Sequence, residues 1–243
     1  MKAIAVIPAR LASTRLPRKL LRSLAGEPLL GHVYRSVHSS PLLHDVIVAT
    51  DSDEILQVCR HHGWKVQITS AAHRSGTERV HEIAQSVAAD VYINVQGDEP
   101  MTRAEHIATL LNLMKDPSVQ VGTLKTRAAT ESINDPNVVK VVTDTAGRAL
   151  YFSRATIPFD RDGTGEPRRY KHLGFYAYRK DALDRFASLP ESWLERSERL
   201  EQLRFLENGI PVSVGETPYD TIGIDTEEDL QRVEALLRAQ RAQ

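Results

Sequence analysis

The first hundred residues alternate short apolar runs with amphipathic segments, and this alternation restricts the folds that the chain can adopt. The runs that resemble strands are KAIAVIP, DVIVATD, WKVQIT and DVYINVQGD, and the intervening segments, such as PLLGHVYRSVH and TERVHEIAQSVAA, have helical periodicity. Strands and helices that alternate in this way form a parallel sheet covered on both faces. The sequence therefore predicts an α/β fold whose ligand site lies beyond the carboxyl ends of the strands.

From about residue 118 onward, the pattern changes to strands with little helix between them. The stretches VQVGTLKT, NVVKVVTD, RALYFSRATIP and YKHLGFYAYR are separated by turn-forming residues. This pattern indicates an antiparallel, β-rich extension at about residues 130–180. A helix over residues 196–208, the strand IPVSVGE and a last helix from Thr226 are expected next, and the segment TEED matches a capping box. We expect one domain over residues 1–243 that carries the β-rich elaboration.

Composition excludes several classes of protein. The chain has 31 Lys and Arg residues against 32 Asp and Glu, so it lacks the net basic charge that nucleic-acid backbones attract. No apolar run approaches the roughly 20 residues that cross a bilayer, and the start of the sequence does not resemble a signal peptide. We therefore expect a cytoplasmic protein with no nucleic-acid or membrane partner. The single cysteine, Cys59, is expected at a buried helix position.

A cationic loop, within IPARLASTRLPRK, follows the first predicted strand. Its cations and hydroxyls are Arg10, Ser13, Thr14, Arg15, Arg18 and Lys19. Such side chains bind phosphates through positive charge and several N–H donors, although a solvated surface loop is the alternative. The motif G-x-x-x-x-G-K-[ST] is missing, and no G-x-G-x-x-G follows the first strand. These absences argue against a P-loop NTPase and an ordinary dinucleotide dehydrogenase, which leaves phosphate binding by side-chain cations.

Two acidic segments lie where a ligand site is expected. VQGDEP has Asp98 and Glu99 after a strand of the buried type, and GIDTEEDL has Asp225 beside the start of the last helix. Carboxylates in these places can hold Mg²⁺ while substrate phosphates complete its coordination shell. Each segment also has a structural alternative, because GDEP is a common kind of turn and an aspartate beside a helix start is often a cap.

Seven segments, in order, resemble the 3-deoxy-manno-octulosonate cytidylyltransferase family, whose members are also called CMP-Kdo synthetases. They are IPARLASTRLPRK, SGTER, VQGDEP, YFSRATIP, KHLG, LEQLR and GIDTEEDL, and the resemblance runs from residue 4 to about residue 235. Sialic acid cytidylyltransferases share the early IPAR segment, but STRLP, YFSRATIP and KHLG are similar to the Kdo family. One departure is Arg18, which stands where the family usually has glycine.

The resemblance implies a Rossmann-like nucleotidyltransferase fold and a homodimer. It implies a Mg²⁺-dependent transfer of CMP from CTP to the anomeric hydroxyl of 3-deoxy-D-manno-octulosonate (Kdo), which releases pyrophosphate and activates Kdo for lipopolysaccharide synthesis. The residues that it assigns to the nucleotide are Arg10, Ser13, Thr14, Arg15, Lys19, Ser75 and Gly76. Those that it assigns to the metal are Asp98 and Asp225, and those assigned to catalysis are Arg15, Lys19 and Asp98. Those that it assigns to the sugar acid are Gln96, Arg154, His172, Glu201 and Gln202.

Three questions stay open on the sequence alone. His172 has an ordinary pKa near neutrality, so it can take the hydroxyl proton or serve as a hydrogen-bonded structural residue. The chain can also be a non-catalytic nucleotide- or sugar-binding regulator, although a binder has no need of both metal carboxylates. Finally, no motif separates Kdo from its 8-amino analogue as the substrate.

Overall fold

The computed structural model describes residues 1–165 and 168–241, and its internal contacts divide the chain into two compact units. The first unit comprises residues 1–107 and 221–243, and the second comprises residues 108–220. Within the expected β-rich elaboration, Glu166 and Pro167 lie outside the described residues. That the chain forms a single domain stays a prediction.

The first unit contains a parallel sheet. The strands of this unit, in chain order, are β1 (Ala3–Ala9), β2 (Ser23–Leu24), β3 (Glu27–Pro28), β4 (Asp45–Thr50), β5 (Val66–Ile68) and β6 (Val91–Asn94). β2 and β3 form a short hairpin, whereas the other four are parallel in the order β6, β1, β4, β5. β1, β4 and β6 are apolar and buried almost throughout, as strands of a covered parallel sheet are. The prediction of an α/β fold with a mainly parallel sheet is confirmed.

Helices follow these strands. They are α1 (Leu29–His38), α2 (Asp53–His61), α3 (Gly76–Ser86) and α4 (Ala104–Leu113), the last of which continues from the first unit into the second. α2 and α3 begin where serine hydroxyls accept backbone N–H groups, Ser52 from Ile55 at 3.4 Å and Ser75 from Glu78 at 3.2 Å. Cys59 is buried on α2, as predicted, and burial raises the pKa of its thiol to about 11.

The second unit is rich in β-structure. Its strands are β7 (Val121–Arg127), β8 (Lys140–Thr143), β9 (Ala149–Ser153), β10 (Tyr170–Tyr178) and β11 (Val212–Glu216). β10 pairs with β7 and β8, and β8 pairs with β9, in antiparallel fashion, while β11 is parallel to β7. The expected antiparallel extension is therefore present, with one parallel pair added.

The helices of the second unit correct one prediction. They are α5 (Lys180–Ser188), α6 (Trp193–Glu198) and α7 (Gln202–Glu207). The prediction of one helix over residues 196–208 is wrong, because the helix is interrupted between α6 and α7. Arg199 has a left-handed backbone with φ of 54°, and its N–H donates to the carbonyl of Glu195, which ends α6.

The chain returns to the first unit at Thr221 and ends its described part in α8 (Glu227–Arg241). The predicted capping box is confirmed: the Asp229 N–H donates to the Thr226 hydroxyl at 3.1 Å, and the Thr226 N–H donates to the Asp229 carboxylate at 2.9 Å. Among the described residues, no helix combines the length and the apolar character that crossing a membrane requires.

Candidate active site

The cationic loop lies at the carboxyl edge of the parallel sheet, directly after β1. Its first cation, Arg10, donates from Nη2 to the backbone carbonyl of His73 at 2.7 Å. A cavity of about 710 Å³ lies beside the loop. Its lining residues are Arg10, Leu11, Ala12, Ser13, Pro17, Arg18, Asp51, Ser52, Ala71 and His73. Segments that follow β1, β4 and β5 therefore share one cavity, as the strand order leads us to expect. Thr14 is exposed on the same loop.

Lys19 joins the two carboxylates that were predicted to bind the metal. Its Nζ lies 2.5 Å from Oδ2 of Asp98 and 2.9 Å from Oδ1 of Asp225. Arg15 reaches the other oxygen of Asp225, with 2.9 Å between Nη2 and Oδ2. We refer to Arg15, Lys19, Asp98 and Asp225 as the carboxylate cluster. The fold thus assembles side chains from three distant segments of the sequence into one cluster.

The Lys19 ammonium is a fixed charge in this cluster. Burial acts against its charged form, but the charges and hydrogen bonds of Asp98 and Asp225 outweigh that effect, so the pKa of Lys19 is raised above its usual value. Only 12% of the Lys19 side chain is exposed, compared with 46% of Asp225. A protonated lysine that is largely buried in the loop after β1 is suited to a phosphate ligand.

The capping box of α8 leaves the Asp225 carboxylate available to the cluster. Thr226 caps the helix, and the Asp229 carboxylate accepts the backbone N–H of Asp225 at 3.0 Å. The oxygens of Asp225 are bonded to Arg15 and Lys19 instead. The alternative that Asp225 serves as the helix cap is therefore wrong.

The oxygen donors of the cluster fit Mg²⁺. The Asp98 and Asp225 carboxylates both contact a single cationic atom, Nζ of Lys19, so they are close enough to share one cation. Mg²⁺ at nucleotide sites is usually bound by one or two carboxylates, with phosphate oxygens and water in its other positions. Over residues 1–165 and 168–241, no group of three or more His, Cys, Asp or Glu side chains could hold a metal by itself. The site suits a metal that binds together with a nucleotide.

Two glycines allow close approach around the end of β1. A Cβ atom on Gly97 would lie 3.1 Å from the Pro8 carbonyl oxygen and 3.2 Å from Cδ1 of Leu20. A Cβ atom on Gly76, the first residue of α3, would lie 3.3 Å from Cγ of Pro8. Gly97 therefore lets the segment that contains the partly buried Gln96 and Asp98 approach the backbone of β1.

A buried ion pair beside the cavity was not predicted. Arg79 on α3 is completely buried, and it donates from Nη2 to the Asp51 carboxylate at 2.5 Å and from Nη1 to the Thr69 hydroxyl at 2.6 Å. Asp51 also lines the cavity. The segments ATD and SGTER contain these two charges, but no spacing rule in the sequence pairs them.

Arg154, in the second unit, follows β9 and is held by several contacts. Its backbone N–H donates to the Glu198 carboxylate at 2.9 Å and its Nε to the Glu198 carbonyl at 2.8 Å. Its Nη1 donates to the Pro136 carbonyl at 2.9 Å. Glu198 also accepts from the Ser153 hydroxyl at 2.6 Å. Within the described part of the chain, Nη2 of Arg154 makes no hydrogen bond, which leaves it for a ligand.

His172 on β10 is neutral at physiological pH. Burial, with a contribution from the charge of Lys171, lowers the pKa of its imidazole to about 3. Nε2 lies 3.0 Å from the Thr123 hydroxyl, which in turn lies 2.7 Å from the Phe175 carbonyl. Because the hydroxyl proton goes to that carbonyl, Nε2 is the protonated nitrogen and Nδ1 carries the lone pair. Of the two roles that the sequence left open for His172, the low pKa and the bond to Thr123 favour a hydrogen-bonded residue over a proton acceptor.

Glu201 and Gln202 lie at the start of α7. Glu201 is in the N-cap position, and Gln202 is the first helical residue and is buried. Arg204 of the same LEQLR segment forms a two-bond ion pair with Glu195, with Nε to Oε2 at 2.7 Å and Nη2 to Oε1 at 2.5 Å. This pair joins α6 to α7 and fixes the helix start that carries the two predicted sugar-binding residues.

Cations and paired carboxylates at the carboxyl edge of a parallel sheet are suited to the phosphates of a nucleotide, and the comparisons with known proteins identify the chain as a nucleotidyltransferase. The family model described as cytidylyltransferase matches residues 4–217. The 3-deoxy-manno-octulosonate cytidylyltransferase of Koribacter versatilis (strain Ellin345) is 66% identical over 239 residues, which cover 98% of this chain and 91% of that protein. The protein of the same name from Acidobacterium capsulatum is 55% identical over 237 residues, which cover 98% of this chain and 97% of that protein.

A solved structure of CMP:2-keto-3-deoxy-manno-octonic acid synthetase in complex with CTP is also similar. It has a TM-score of 0.95 and 42% sequence identity, and the match covers 99% of this chain and 100% of the other. The chain belongs to the 3-deoxy-manno-octulosonate cytidylyltransferase family. The resemblance inferred from the seven sequence segments is confirmed.

Proposed function

We propose that the chain transfers CMP from CTP to the anomeric hydroxyl of Kdo, giving CMP-Kdo and pyrophosphate. The product is the activated sugar for lipopolysaccharide synthesis. The observation that carries this proposal is the carboxylate cluster, because it combines two cations for a triphosphate with two carboxylates for Mg²⁺. The names of the relatives supply the identity of the nucleotide and of the sugar acid.

The first unit supplies the proposed nucleotide contacts, which are Arg10, Ser13, Thr14, Arg15, Lys19, Ser75 and Gly76. When the sugar hydroxyl attacks the α-phosphorus, negative charge grows on the oxygen that bridges to the departing pyrophosphate. Lys19 and Arg15 stabilise that charge. Lys19 is nearly buried and paired with two carboxylates, so its positive charge is already in the site before the nucleotide binds.

Asp98 and Asp225 are the proposed metal ligands. In this structure Lys19 and Arg15 neutralise the two carboxylates, and a divalent cation that takes their place beside the carboxylates would leave both cations available to a triphosphate. When bound there, Mg²⁺ supplies neutralisation of the phosphate oxygens and polarisation of the reacting phosphoryl group. Asp229 and Thr226 fix the backbone of Asp225 and so orient its carboxylate.

The sugar acid is assigned to Gln96, Arg154, His172, Glu201 and Gln202. Nη2 of Arg154 suits the carboxylate, because a guanidinium forms strong charge-assisted hydrogen bonds with that group. His172 accepts a hydrogen bond from a sugar hydroxyl through the lone pair of Nδ1. A nitrogen with a pKa of about 3 is a poor base for a hydroxyl, so His172 binds rather than removes the proton.

Pyrophosphate release tests this function. We expect release with CTP, Mg²⁺ and either Kdo or its 8-amino analogue, no release with ATP, loss of release with EDTA and recovery with added Mg²⁺. Release with sialic acid, but with neither Kdo nor its 8-amino analogue, would contradict the assigned sugar. Binding of CTP without release from any sugar acid would instead favour a regulator.

We also propose that the chain is a cytoplasmic homodimer. The family resemblance supports the dimer, and Leu150 and Phe159 of the second unit, which are 62% and 82% exposed, are available to such a surface. Light scattering at micromolar concentration should give twice the chain mass of 27.2 kDa, and a monomer mass would contradict the proposal. The cytoplasm is assigned because the reaction consumes CTP, which cells make there.

A further inference from the structure

Lys140, the first residue of β8, is completely buried, and its ammonium group contacts main-chain oxygens. Its Nζ donates to the carbonyl of Asp135 at 2.9 Å, of Val138 at 2.6 Å and of Arg154 at 2.6 Å. A buried ammonium is costly unless its N–H groups are bonded, and here all three are used. No carboxylate among the described residues forms an ion pair with it. Lys140 therefore joins two segments of backbone rather than neutralising an acid.

The two segments that Lys140 joins are the ones that hold the Arg154 side chain. Pro136 lies between the residues whose carbonyls bind Lys140, and its own carbonyl accepts from Nη1 of Arg154 at 2.9 Å. The Thr156 hydroxyl adds a bond to the Ile133 carbonyl at 3.1 Å. The position of the Pro136 carbonyl relative to Arg154 thus depends on the ammonium of Lys140.

We propose that Lys140 is a positioning residue that orients Arg154 toward the carboxylate of the sugar acid. This inference rests on the proposed function. Lys140 holds the carbonyl of Arg154 and the segment around Pro136, while Glu198 holds the backbone N–H and Nε of Arg154. The guanidinium is fixed at Nε and Nη1, so Nη2 is presented to a ligand in one orientation.

Removal of the ammonium should disturb this orientation. Three partly buried carbonyls would lose their donor, and they would move apart or toward water because an acceptor without a donor is unfavourable. The segment around Pro136 would then shift, and Nη1 of Arg154 with it. When a binding group is displaced by even a small distance, it binds its ligand more weakly and aligns it less well. The effect should fall on the sugar acid and spare the nucleotide.

Lys140→Met tests this, because methionine keeps most of the apolar stem and lacks the three N–H donors. We expect the KM for Kdo to rise roughly tenfold or more, while the KM for CTP stays within about twofold. Lys180→Met is the matched control, since it removes a surface lysine that pairs with Asp184 in the same unit, and both KM values should be unchanged. An equal rise of both KM values in Lys140→Met would overturn the positioning role.

A double-mutant cycle with Arg154→Ala separates positioning from a purely structural effect. In the Arg154→Ala protein, adding Lys140→Met should change the KM for Kdo by less than about twofold, because the guanidinium that Lys140 orients is gone. A full additional rise in that background would overturn the inference. If Arg154→Ala itself leaves the KM for Kdo unchanged, the carboxylate site and the positioning role are both wrong. If the wild-type protein releases no pyrophosphate, the proposed function is contradicted instead.

Circular dichroism and thermal melting establish whether the variants fold. If Lys140→Met does not fold, Lys140→Gln is measured in the same way, because its amide still supplies two N–H donors for the carbonyls. A rise in the KM for Kdo alone, smaller than the tenfold scale, supports the positioning role. No rise, or an equal rise in both KM values, overturns it.

Discussion

The backbone N–H of Ile224 donates to the carbonyl oxygen of Asp98 at 3.0 Å. This bond joins the segment after β6 to the segment before α8, and it brings Asp225, the next residue, beside Asp98. Because a main-chain bond sets this approach, it does not depend on the side chain of either aspartate. Substitutions at the two aspartates should therefore report on chemistry rather than on folding.

Asp98→Asn and Asp225→Asn should each remain folded and lose CTP- and Kdo-dependent pyrophosphate release by roughly two orders of magnitude or more. Asparagine keeps the shape of the side chain but loses the charge that binds Mg²⁺ and Lys19. The measurement is the initial rate at saturating substrates, together with the melting temperature. Asp184→Asn, at a partly exposed aspartate paired with Lys180 outside the cluster, is the control and should retain full activity. Near-normal rates in both cluster variants would remove these aspartates from the metal site.

The neutral His172 should make the protein less stable in mild acid. Its folded pKa of about 3 lies below its ordinary 6.5, so between these values the unfolded chain binds a proton that the folded chain does not. The contribution of neutral His172 to the free energy of unfolding is complete above about pH 6.5. As the pH falls from there toward 3, this contribution decreases by up to roughly 1.4 kcal/mol per pH unit. His172→Gln, which keeps a donor for Thr123, should show a shallower loss between about pH 6 and 4 in urea unfolding. Identical slopes for the two proteins would contradict the low pKa.

Arg18, which stands where the family usually has glycine, has a left-handed backbone with φ of 57°. Its guanidinium forms an exposed ion pair with Glu54. Glu54→Gln removes that ion pair, so that the backbone effect can be measured alone. In the Glu54→Gln protein, adding Arg18→Gly should raise the free energy of unfolding by up to about 1 kcal/mol, because glycine adopts a positive φ without strain. Turnover should stay nearly unchanged. A large fall in activity without unfolding would show that Arg18 contacts the substrate.

Gly97→Ala should destabilise the first unit by about 1–3 kcal/mol, because the new Cβ would press on the Pro8 carbonyl and on Leu20. Gly223→Ala is the matched control: a Cβ there has nothing within 4 Å, and its unfolding free energy should change by no more than about 0.5 kcal/mol. Chemical denaturation of both variants measures the difference. Equal stability of the two would mean that the backbone around Gly97 moves without cost.

The parts of the fold that depend on local patterns could be predicted. Buried strands alternating with amphipathic helices gave the parallel sheet, and its geometry placed the loop after β1 and the segment with Asp98 at one edge. The TEED segment gave the capping box, because the bonds between Thr226 and Asp229 are made within one helical turn.

Features that depend on contacts between distant residues could not be predicted. The low pKa of His172 arises from burial of its imidazole, and the local sequence KHLG does not show whether that side chain is buried. The partner of Arg10 is the backbone carbonyl of His73, and any residue type could supply that group. The break between α6 and α7 occurs at Arg199, a residue that in most sequences continues a helix.

The first unit is assembled from both ends of the chain, residues 1–107 and 221–243. During synthesis on a ribosome, Lys19 and Asp98 emerge early, and Asp225 follows them by roughly ten seconds at ordinary translation rates of about 5–20 residues per second. Until then, the nascent chain has only one of the two carboxylates that we propose as metal ligands. A polypeptide released before residue 225 would therefore lack one of the proposed metal ligands and should not consume CTP, so the order of the sequence delays activity until Asp225 has been translated.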